Sequence, residues 1–337
     1  MPERPTLKTI GQIAGLSHVA VSKALRDAPD ISAATKERVK RIADELGYTP
    51  NVAARNLYLR RTSAIGMIVP AMGDNTAYDL IFNEVSAAAA ALDFCVMLGS
   101  SHRSPQLEAR HCGMMVGNQV GALIVAPCTS DVSHIKAACG PTPVIFIGGK
   151  TDLEEEYALV CDYRHSGTLA VEHLTGLGHR DIVLLTYEPE NRTILQKEEG
   201  FSAAMKSRGL TPRILRTGNA ADAMRAGMEA VKLLLEGGGL PTAIWCASDY
   251  MAVGAVSALR RHGLSVPGDI SVMGHDDLYS GLYPEAGLTT LRTPMAEMGK
   301  AAVELAIALI EHDSRIHPRQ VFRSSLVVRG STGAVRP

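Results

Sequence analysis

Side chains that can contact nucleic acid are concentrated near the start of the chain. His18, Val19 and Lys23 lie at helical spacing, with Ser17 and Ser22 beside them. Imidazole, ammonium and hydroxyl groups can reach base edges and phosphates, and an apolar side chain can contact a thymine methyl group. This outward face carries no carboxylate that would repel a polyanion. The pattern predicts a DNA-reading helix, with a small helical bundle that has no partner as the alternative.

Two predicted helices joined by a tight turn position this face. Thr6 is expected to cap the first helix, and Gly15 to end it in a left-handed conformation. Ser17 is expected to cap the second helix. Only Gly15 and Leu16 separate the two helices, which is typical of a helix-turn-helix. The positions predicted to face inward are Leu7, Ile10, Ile13 and Ala14 in the first helix and Val21, Ala24 and Leu25 in the second.

A third helix and a shorter fourth one follow. Ser32 is expected to cap the third helix and Gly47 to stop it. The next segment, 52–57, predicts about one and a half turns of helix capped by Asn51. A helix so short is unstable alone in water, because its nucleation costs more than so few hydrogen bonds return. It is therefore expected to fold only when something else stabilises it.

Charge and composition divide the chain into a basic head and an acidic body. Residues 1–61 carry a net charge of +5, whereas all 337 residues together carry −1. This asymmetry is typical of a polyanion-binding module attached to another domain. The six cysteines contain no C-x-x-C pair, which predicts a reduced, cytoplasmic chain. The polar start is unlike a secretion signal, and no membrane span is expected.

The body alternates apolar strands with helical patterns. This alternation predicts parallel sheets with helices on both faces, and two such series predict two lobes. Ligands of such sheets bind beyond the carboxyl ends of the strands, so two facing lobes predict a cleft that closes around a small molecule. The predicted strands are 64–69, 94–98, 122–126 and 144–147 in the first series and 182–185, 214–215, 243–246 and 270–273 in the second.

Three aspartates follow predicted strands of the second series. Asp249 comes after 243–246, and Asp276 and Asp277 come after 270–273. Their positions make them candidates for ligand contacts. For Asp249 and Asp277, the alternative is that the side chain caps the next helix.

Several segments resemble, in the same order, the landmarks of one protein family. They are TLKTIGQIAGLSHVAVSKAL, ELGYTPNVAARNL and RRTSAIGMIVP near the start, and GHDD, LTTLRTP and SLVVRGST in the body. Over nearly its whole length the chain resembles the LacI/GalR family of bacterial transcription repressors. The resemblance implies an all-α helix-turn-helix head and an α/β, two-lobed core like that of periplasmic binding proteins, with parallel sheets and helices on both faces.

The resemblance also implies domain boundaries. Residues 1–49 are expected to form the DNA-binding domain, 50–61 the hinge helix and linker, and 62–337 the effector-binding and dimerisation domain. Within the last, lobe 1 is expected at about 62–162 and 293–324, and lobe 2 at about 163–292 and 325–337.

Carried over position by position, the resemblance places the second helix in the major groove. Lys23 stands where many members have arginine, and an ammonium group lacks the planar fork that matches guanine. Leu57 of the hinge helix is expected to pry open a minor-groove step. The expected DNA contacts are Thr6, Ser17, His18, Val19, Ser22, Lys23, Asn51, Ala54, Arg55 and Leu57.

The resemblance also implies an effector site. Asp276 of GHDD matches an aspartate that accepts hydrogen bonds from effector hydroxyls or ring nitrogens. Lys197 stands where the family usually has an arginine, and Tyr78 where an aromatic ring packs on a sugar or base. The expected effector contacts are Tyr78, Arg192, Lys197, Ser248, Asp276 and Thr293. The expected effector is a sugar, a sugar acid or a nucleoside.

Enzymatic and metal-binding alternatives find little support. The segment 149–151 ends like a phosphate-binding loop, but the earlier glycine of that motif falls on Val144 within a strand. His275 beside Asp276 has no second histidine or cysteine nearby in sequence. The sequence therefore predicts no catalysis, no cofactor and no metal.

The combined expectation is a homodimeric repressor of transcription. Its two heads would bind a near-palindromic operator in double-stranded DNA, because a two-fold dimer requires a two-fold site. An effector in the cleft would alter how the hinge helices pair. The second hypothesis is a solute-binding receptor without a regulatory role.

Overall fold

The chain folds into two compact units, Met1–Arg61 and Thr62–Pro337. The structure is a computed structural model that describes residues 5–48, 62–73, 76–148, 157–188, 192–219, 222–237, 239–278, 287–312 and 317–336. Within these ranges, no helix is both long and apolar enough to cross a membrane. Four expected DNA contacts lie outside the described residues: Asn51, Ala54, Arg55 and Leu57.

The described part of the first unit consists of α1 (Leu7–Ala14), α2 (His18–Leu25) and α3 (Ala33–Glu45). The side-chain oxygens of Thr6, Ser17 and Ser32 each accept a hydrogen bond from the backbone N–H three residues further on. Gly15 ends α1 with a left-handed φ of 66°. These contacts confirm the predicted helix starts and the predicted turn.

The three helices enclose one small apolar cluster, and the prediction that Ile13 belongs to it is wrong. Ile13 is 55% exposed. The turn lies so close to Gly11 that Leu16 N donates to Gly11 O at 2.9 Å, and a Cβ on Gly11 would lie 2.6 Å from Leu16 O. This contact directs the Gly11 side of α1 inward and Ile13 toward solvent. The buried members of the cluster are Ile10, Ala14, Val21, Ala24, Val39, Ile42 and Ala43.

The second unit contains a parallel sheet that we call lobe 1. Its strands are β1 (Ala64–Val69), β2 (Cys95–Ser100), β3 (Ala122–Val125), β4 (Val144–Ile147), β5 (Tyr157–Cys161) and β11 (Arg319–Phe322). Their order across the sheet is β11-β5-β4-β3-β1-β2. The helices beside this sheet are α4 (Thr76–Ala90), α5 (Pro105–Gly117), α6 (Ser133–Cys139) and α11 (Met295–Ile310).

A second parallel sheet of the same unit forms lobe 2. Its strands are β6 (Ile182–Thr186), β7 (Arg213–Arg216), β8 (Ala243–Cys246) and β9 (Ser271–Met273). Their order is β7-β6-β8-β9. The helices beside this sheet are α7 (Tyr163–Gly176), α8 (Arg192–Ser207), α9 (Ala223–Glu236) and α10 (Asp249–Arg261).

A short antiparallel ladder completes the described strands of this unit. It pairs β10 (Thr290–Arg292) with β12 (Ser325–Val327). All eight strands predicted from the sequence are present, with ends within two residues of the prediction. The apolar pattern misses β5, β10, β11 and β12. The last three are short and carry polar or charged residues.

Candidate nucleic-acid interface and effector site

The outward face of α2 is exposed as predicted. His18 is exposed and Val19 is 52% exposed, whereas Val21 and Ala24 on the opposite face are fully buried. Ser22 is half-buried between these two faces. This division leaves one side of α2 available to a partner while the other side holds the head together.

Lys23 on this face pairs with a carboxylate that the sequence analysis overlooked. Its Nζ lies 2.5 Å from Asp30 Oδ2, and both side chains are exposed. The residues of the face itself carry no carboxylate, as expected, but Asp30 reaches the face from the segment between α2 and α3. The hydrogen bond from Lys23 lowers the pKa of Asp30. Lys23 must leave this exposed pair before it can contact DNA.

We predict that Asp30→Asn strengthens DNA binding roughly twofold to fivefold at low salt, because an exposed ion pair is weak but holds Lys23 away from the DNA. Asp44→Asn removes the same charge from an exposed position of α3 and serves as the matched control. Affinities come from fluorescence anisotropy with a labelled duplex. Equal gains for the two variants would show that only net charge matters.

The candidate effector site lies where the strand order of each sheet reverses. In lobe 1 this switch falls between β1 and β3, and in lobe 2 it falls between β6 and β8. Crevices at such points, beyond the carboxyl ends of the strands, are the usual ligand sites of open parallel sheets. Most of the effector residues expected from the sequence come from loops and helices that follow these strands.

Asp276 is the centre of a buried polar network in lobe 2. Its Oδ1 atom accepts a hydrogen bond from Thr293 Oγ1 at 3.0 Å and lies 2.8 Å from His275 Nδ1. Lys197 Nζ lies 3.2 Å from the same His275 nitrogen and donates to Ala247 O at 2.7 Å. The structure thus brings together Lys197, Asp276 and Thr293.

The geometry around His275 assigns the proton on its ring. Nδ1 cannot accept from Lys197 and also donate to Asp276, because a single ring nitrogen has one role at a time. Burial and the nearby Lys197 lower the pKa of His275, so its ring is neutral. A proton on Nδ1 lets this nitrogen donate to Asp276. Nε2 then carries a lone pair and no proton, and it has no hydrogen-bond partner among the described residues.

The same surroundings control the charge of the other two groups. Burial opposes ionisation of Asp276, but His275, Lys197 and Thr293 outweigh it and hold the pKa of this carboxyl well below its usual range. Burial lowers the pKa of Lys197, and the Asp276 charge partly restores it. Asp276 is therefore the anion of the network, and Lys197 is the basic side chain of the same network.

Close packing of two helices fixes the position of Lys197. A Cβ on Gly200 of α8 would collide with the carbonyl oxygen of Arg164, and one on Gly167 of α7 would collide with the backbone of Phe201. The two helices therefore approach through their glycines. Lys197, one turn before Gly200, has its Nζ 5.0 Å from the centre of the Tyr163 ring.

One further expected residue, Ser248, lies near this network, whereas Arg192 lies on another face of α8. Ser248 caps α10, where its Oγ accepts from Met251 N at 3.2 Å and lies 2.5 Å from the Tyr187 hydroxyl. Its neighbour Ala247 is the residue that Lys197 contacts. Arg192 is the first residue of α8 and is half-buried. It lies about 140° around the helix from Lys197, on a different face.

Asp249 and Asp277 have structural contacts. The interpretation of the Asp249 side chain as a helix cap is wrong, because Ser248 caps α10. For Asp277 it stays a prediction, since residues 279–286 lie outside the described residues. Asp249 lies inside α10 and accepts hydrogen bonds from Thr290 Oγ1 at 2.6 Å and from Leu278 N at 2.7 Å. Asp277 pairs with Arg292 and Arg329, each at 2.7 Å. Both carboxylates connect the end of β9 to the β10–β12 ladder.

The described part of lobe 1 contributes Tyr78 and a polar cluster that sequence reasoning missed. Burial raises the pKa of Tyr78 to about 12, with Arg103 acting against it and with Asp276, Glu108 and Cys128 acting in the same direction. The Tyr78 hydroxyl is thus within electrostatic range of both lobes. Glu108, Cys128 and His134 form the cluster, and no sequence motif joins them. The only signal is that Cys128 shortly follows β3, at the carboxyl edge of the sheet.

The buried Asp249 predicts a pH-dependent stability. Burial raises its pKa from 3.8 to about 7, and the nearby Asp276 acts in the same direction. The folded chain therefore binds this proton more tightly than the unfolded chain does. The resulting stabilisation is complete below about pH 4 and is lost as the pH rises through about 7.

We predict that Asp249→Asn removes this dependence, since asparagine keeps the shape but does not titrate. Its Oδ1 can accept from Leu278 N, and its Nδ2 can donate to Thr290 Oγ1. The variant should gain free energy of unfolding relative to the parent by up to about 3 kcal/mol between pH 5 and pH 8. Urea unfolding at both pH values measures the difference. A difference independent of pH would contradict the raised pKa of Asp249.

Comparisons with known proteins agree with this architecture. Residues 6–51 match the model for bacterial regulatory proteins of the lacI family, and residues 171–332 match the model for a periplasmic binding protein-like domain. The chain is 28% identical over 339 residues to the HTH-type transcriptional repressor PurR of Haemophilus influenzae, covering 98% of this chain and 99% of that protein.

Two solved structures show the same fold. The lac repressor dimer bound to operator and the anti-inducer ONPF superimposes with a TM-score of 0.89 and 26% identity, over 98% of this chain and all of that one. The complex of the transcriptional regulator CelR with cellobiose gives 0.69 and 26%, over 97% of this chain and all of that one.

A helix-turn-helix head joined to a two-lobed α/β core with a polar cleft site defines a DNA-binding transcription regulator that responds to a small molecule. The two family models together match more than half of the chain, in the order that the sequence motifs predict. The chain belongs to the lacI family of bacterial regulatory proteins.

Proposed function

We propose that this chain is a homodimeric repressor without catalytic activity, which acts in the cytoplasm on a near-palindromic operator. One observation carries the proposal. The exposed face of α2 occurs in the same chain as a buried, charge-balanced polar site at the carboxyl ends of parallel strands. The first feature suits DNA and the second suits a small polar ligand.

In this proposal α2 lies in the major groove. His18, Val19 and Lys23 contact base edges, and Ser22 contacts a phosphate. Thr6 and Ser17 also contact phosphates, because a hydroxyl that accepts a capping bond keeps a proton to donate. Asn51, Ala54, Arg55 and Leu57 serve in the hinge helix, with Leu57 as the wedge in the minor groove.

The homodimer is proposed from the exposed edge of lobe 1. Strand β2 is the last strand on its side of the sheet, and Leu98 on this strand is 36% exposed. Leu92, shortly before β2, is 52% exposed. An open edge with exposed apolar side chains favours association with a second copy. Two-fold pairing would present two α2 helices to the two halves of one operator.

The effector is proposed to be a sugar, a sugar acid or a nucleoside. Within the described residues, both donors to the Asp276 side chain use Oδ1, which leaves Oδ2 to accept from a ligand hydroxyl or ring N–H. Because Lys197 already balances the Asp276 charge, the site favours an uncharged sugar or nucleoside over a sugar acid. Tyr78 offers a ring face, and Arg192 and Ser248 offer polar contacts.

Sequence-specific DNA binding is testable without knowing the operator. In vitro selection from random duplexes should enrich near-palindromic sites, and His18→Ala should weaken binding to the selected site by at least about tenfold. Binding to unrelated DNA should remain, because it depends on phosphate contacts. His317→Ala changes an exposed histidine of the second unit and is the control. No enrichment at low salt would favour a receptor without a regulatory role.

The effector site has its own test. A thermal-shift screen of sugars, sugar acids and nucleosides identifies a ligand, and Trp245 then reports binding by fluorescence, since its ring lies 6.3 Å from that of His275. We predict that Asp276→Ala abolishes the effect of the ligand on DNA affinity while the protein still unfolds cooperatively. A variant that responds like the parent would show that Asp276 lies outside the site.

A further inference from the structure

Three side chains with different donor atoms converge at the switch point of lobe 1. Glu108 lies on α5, Cys128 shortly follows β3, and His134 lies on α6. One donor atom from each, a carboxylate oxygen, Sγ and a ring nitrogen, lies within 4.8 Å of the other two. Glu108 is fully buried, while Cys128 and His134 are half-buried, so the cluster is reachable from one side.

The hydrogen bonds of the cluster all converge on one carboxylate. Glu108 accepts from the backbone N–H of Cys128 at 3.0 Å, and its Oε2 accepts from Cys128 Sγ at 3.4 Å. His134 Nε2 lies 2.9 Å from the same Oε2. The thiol S–H of Cys128 and an N–H on His134 Nε2 therefore point protons at the carboxylate, and a cation could displace these protons. The backbone N–H of Cys128 would keep the carboxylate oriented.

The distances suit a tetrahedral ion. Around zinc, oxygen, nitrogen and sulfur ligands lie about 2.0–2.3 Å from the metal, which places them about 3.3–3.6 Å from one another. The separation of 3.4 Å between Glu108 Oε2 and Cys128 Sγ already falls in this range. The 2.9 Å separation from His134 Nε2 must widen by a few tenths of an ångström. Side-chain rotation of the half-buried His134 and Cys128 can supply these shifts.

The chemistry favours zinc over the common alternatives. A thiolate and an imidazole are poor ligands for magnesium and calcium, which prefer oxygen, whereas zinc binds all three donor types. Three protein ligands also leave a fourth position open, as in zinc sites that bind water or another small ligand. Tyr78 is within electrostatic range of Glu108, of Cys128 and of Asp276. The cluster therefore lies beside the effector cleft.

We propose that Glu108, Cys128 and His134 bind a zinc ion at the carboxyl edge of the lobe 1 sheet, with its fourth coordination position open. This site is separate from the Asp276 network and does not depend on DNA binding. It differs from the sequence-based expectation of no metal, because the three ligands come from different elements and share no local spacing.

Cobalt provides the direct test. Untagged full-length protein, stripped by a chelator, should bind one Co²⁺ per chain with a thiolate charge-transfer band in the near ultraviolet and visible bands of tetrahedral cobalt. Zinc should displace the cobalt and raise the unfolding temperature. Cys128→Ser should remove the charge-transfer band, and His134→Gln should weaken zinc binding by more than about 100-fold, since even outer-shell partners contribute roughly 10- to 100-fold.

Matched variants control for other cysteines and histidines. Cys95 and His317 are exposed and lie outside the cluster, so Cys95→Ser and His317→Gln should bind cobalt and zinc like the parent. Zinc binding should also weaken as the pH falls, because the thiol and imidazole must lose protons. A parent protein without the thiolate band, or a Cys128→Ser variant with unchanged zinc affinity and stoichiometry, would overturn the proposal. DNA retardation by the metal-free protein is measured in parallel and tests the regulator separately.

Discussion

The chemistry of the effector site depends on the ionised carboxylate of Asp276 and on the groups that contact it. A buried carboxylate is costly unless donors and a cation surround it, and here His275, Thr293 and Lys197 meet that requirement. The backbone of Asp276 has a φ of 101°, a region that costs an L-residue about 1–3 kcal/mol. Its N–H donates to Leu291 O at 2.7 Å, so the β10 segment holds it in place.

This arrangement gives a physical route from the ligand to lobe 1. Thr293, which donates to Asp276, precedes Pro294 and the start of α11. Helix α11 packs on the lobe 1 sheet and on α4, the helix that carries Tyr78. A ligand that contacts Asp276 and Tyr78 would therefore touch both ends of one continuous series of packed elements, which runs through α11 and α4. A coupling of about 1–3 kcal/mol between this site and DNA is typical and would suffice to switch operator occupancy.

Local signals account for what the sequence predicts well. Helix caps at Thr6, Ser17 and Ser32, and the eight apolar strands, follow from neighbouring residues alone. The misses depend on contacts between distant residues. Ile13 faces solvent because the turn packs on Gly11, and Asp30 meets Lys23 only after the segment between α2 and α3 folds back.

The residues of the candidate sites divide in the same way, into those that the sequence predicts and those that only the fold brings together. Lys197, Asp276 and Thr293 are predictable because each matches a family position, and the fold brings them together as expected. The contribution of His275 follows only from the geometry, since its ring lies between Lys197 and Asp276. The Glu108 cluster has no sequence motif, because its three residues come from different elements that the fold brings together.

Several cations of the head are held by contacts within the head. Lys40 pairs with Asp27, Lys36 donates to Asp27 O at 3.0 Å, and Arg38 donates to Ala14 O at 2.5 Å. These cations stabilise contacts between the helices and the turns of the head, and Lys23 is held by Asp30. The charges of Asp27 and Asp30 are already subtracted in the net charge of +5, so these pairs do not lower it further. Because phosphate contacts do not depend on the base sequence, we propose that discrimination between sequences comes from direct contacts of the exposed His18 and Val19 with base edges.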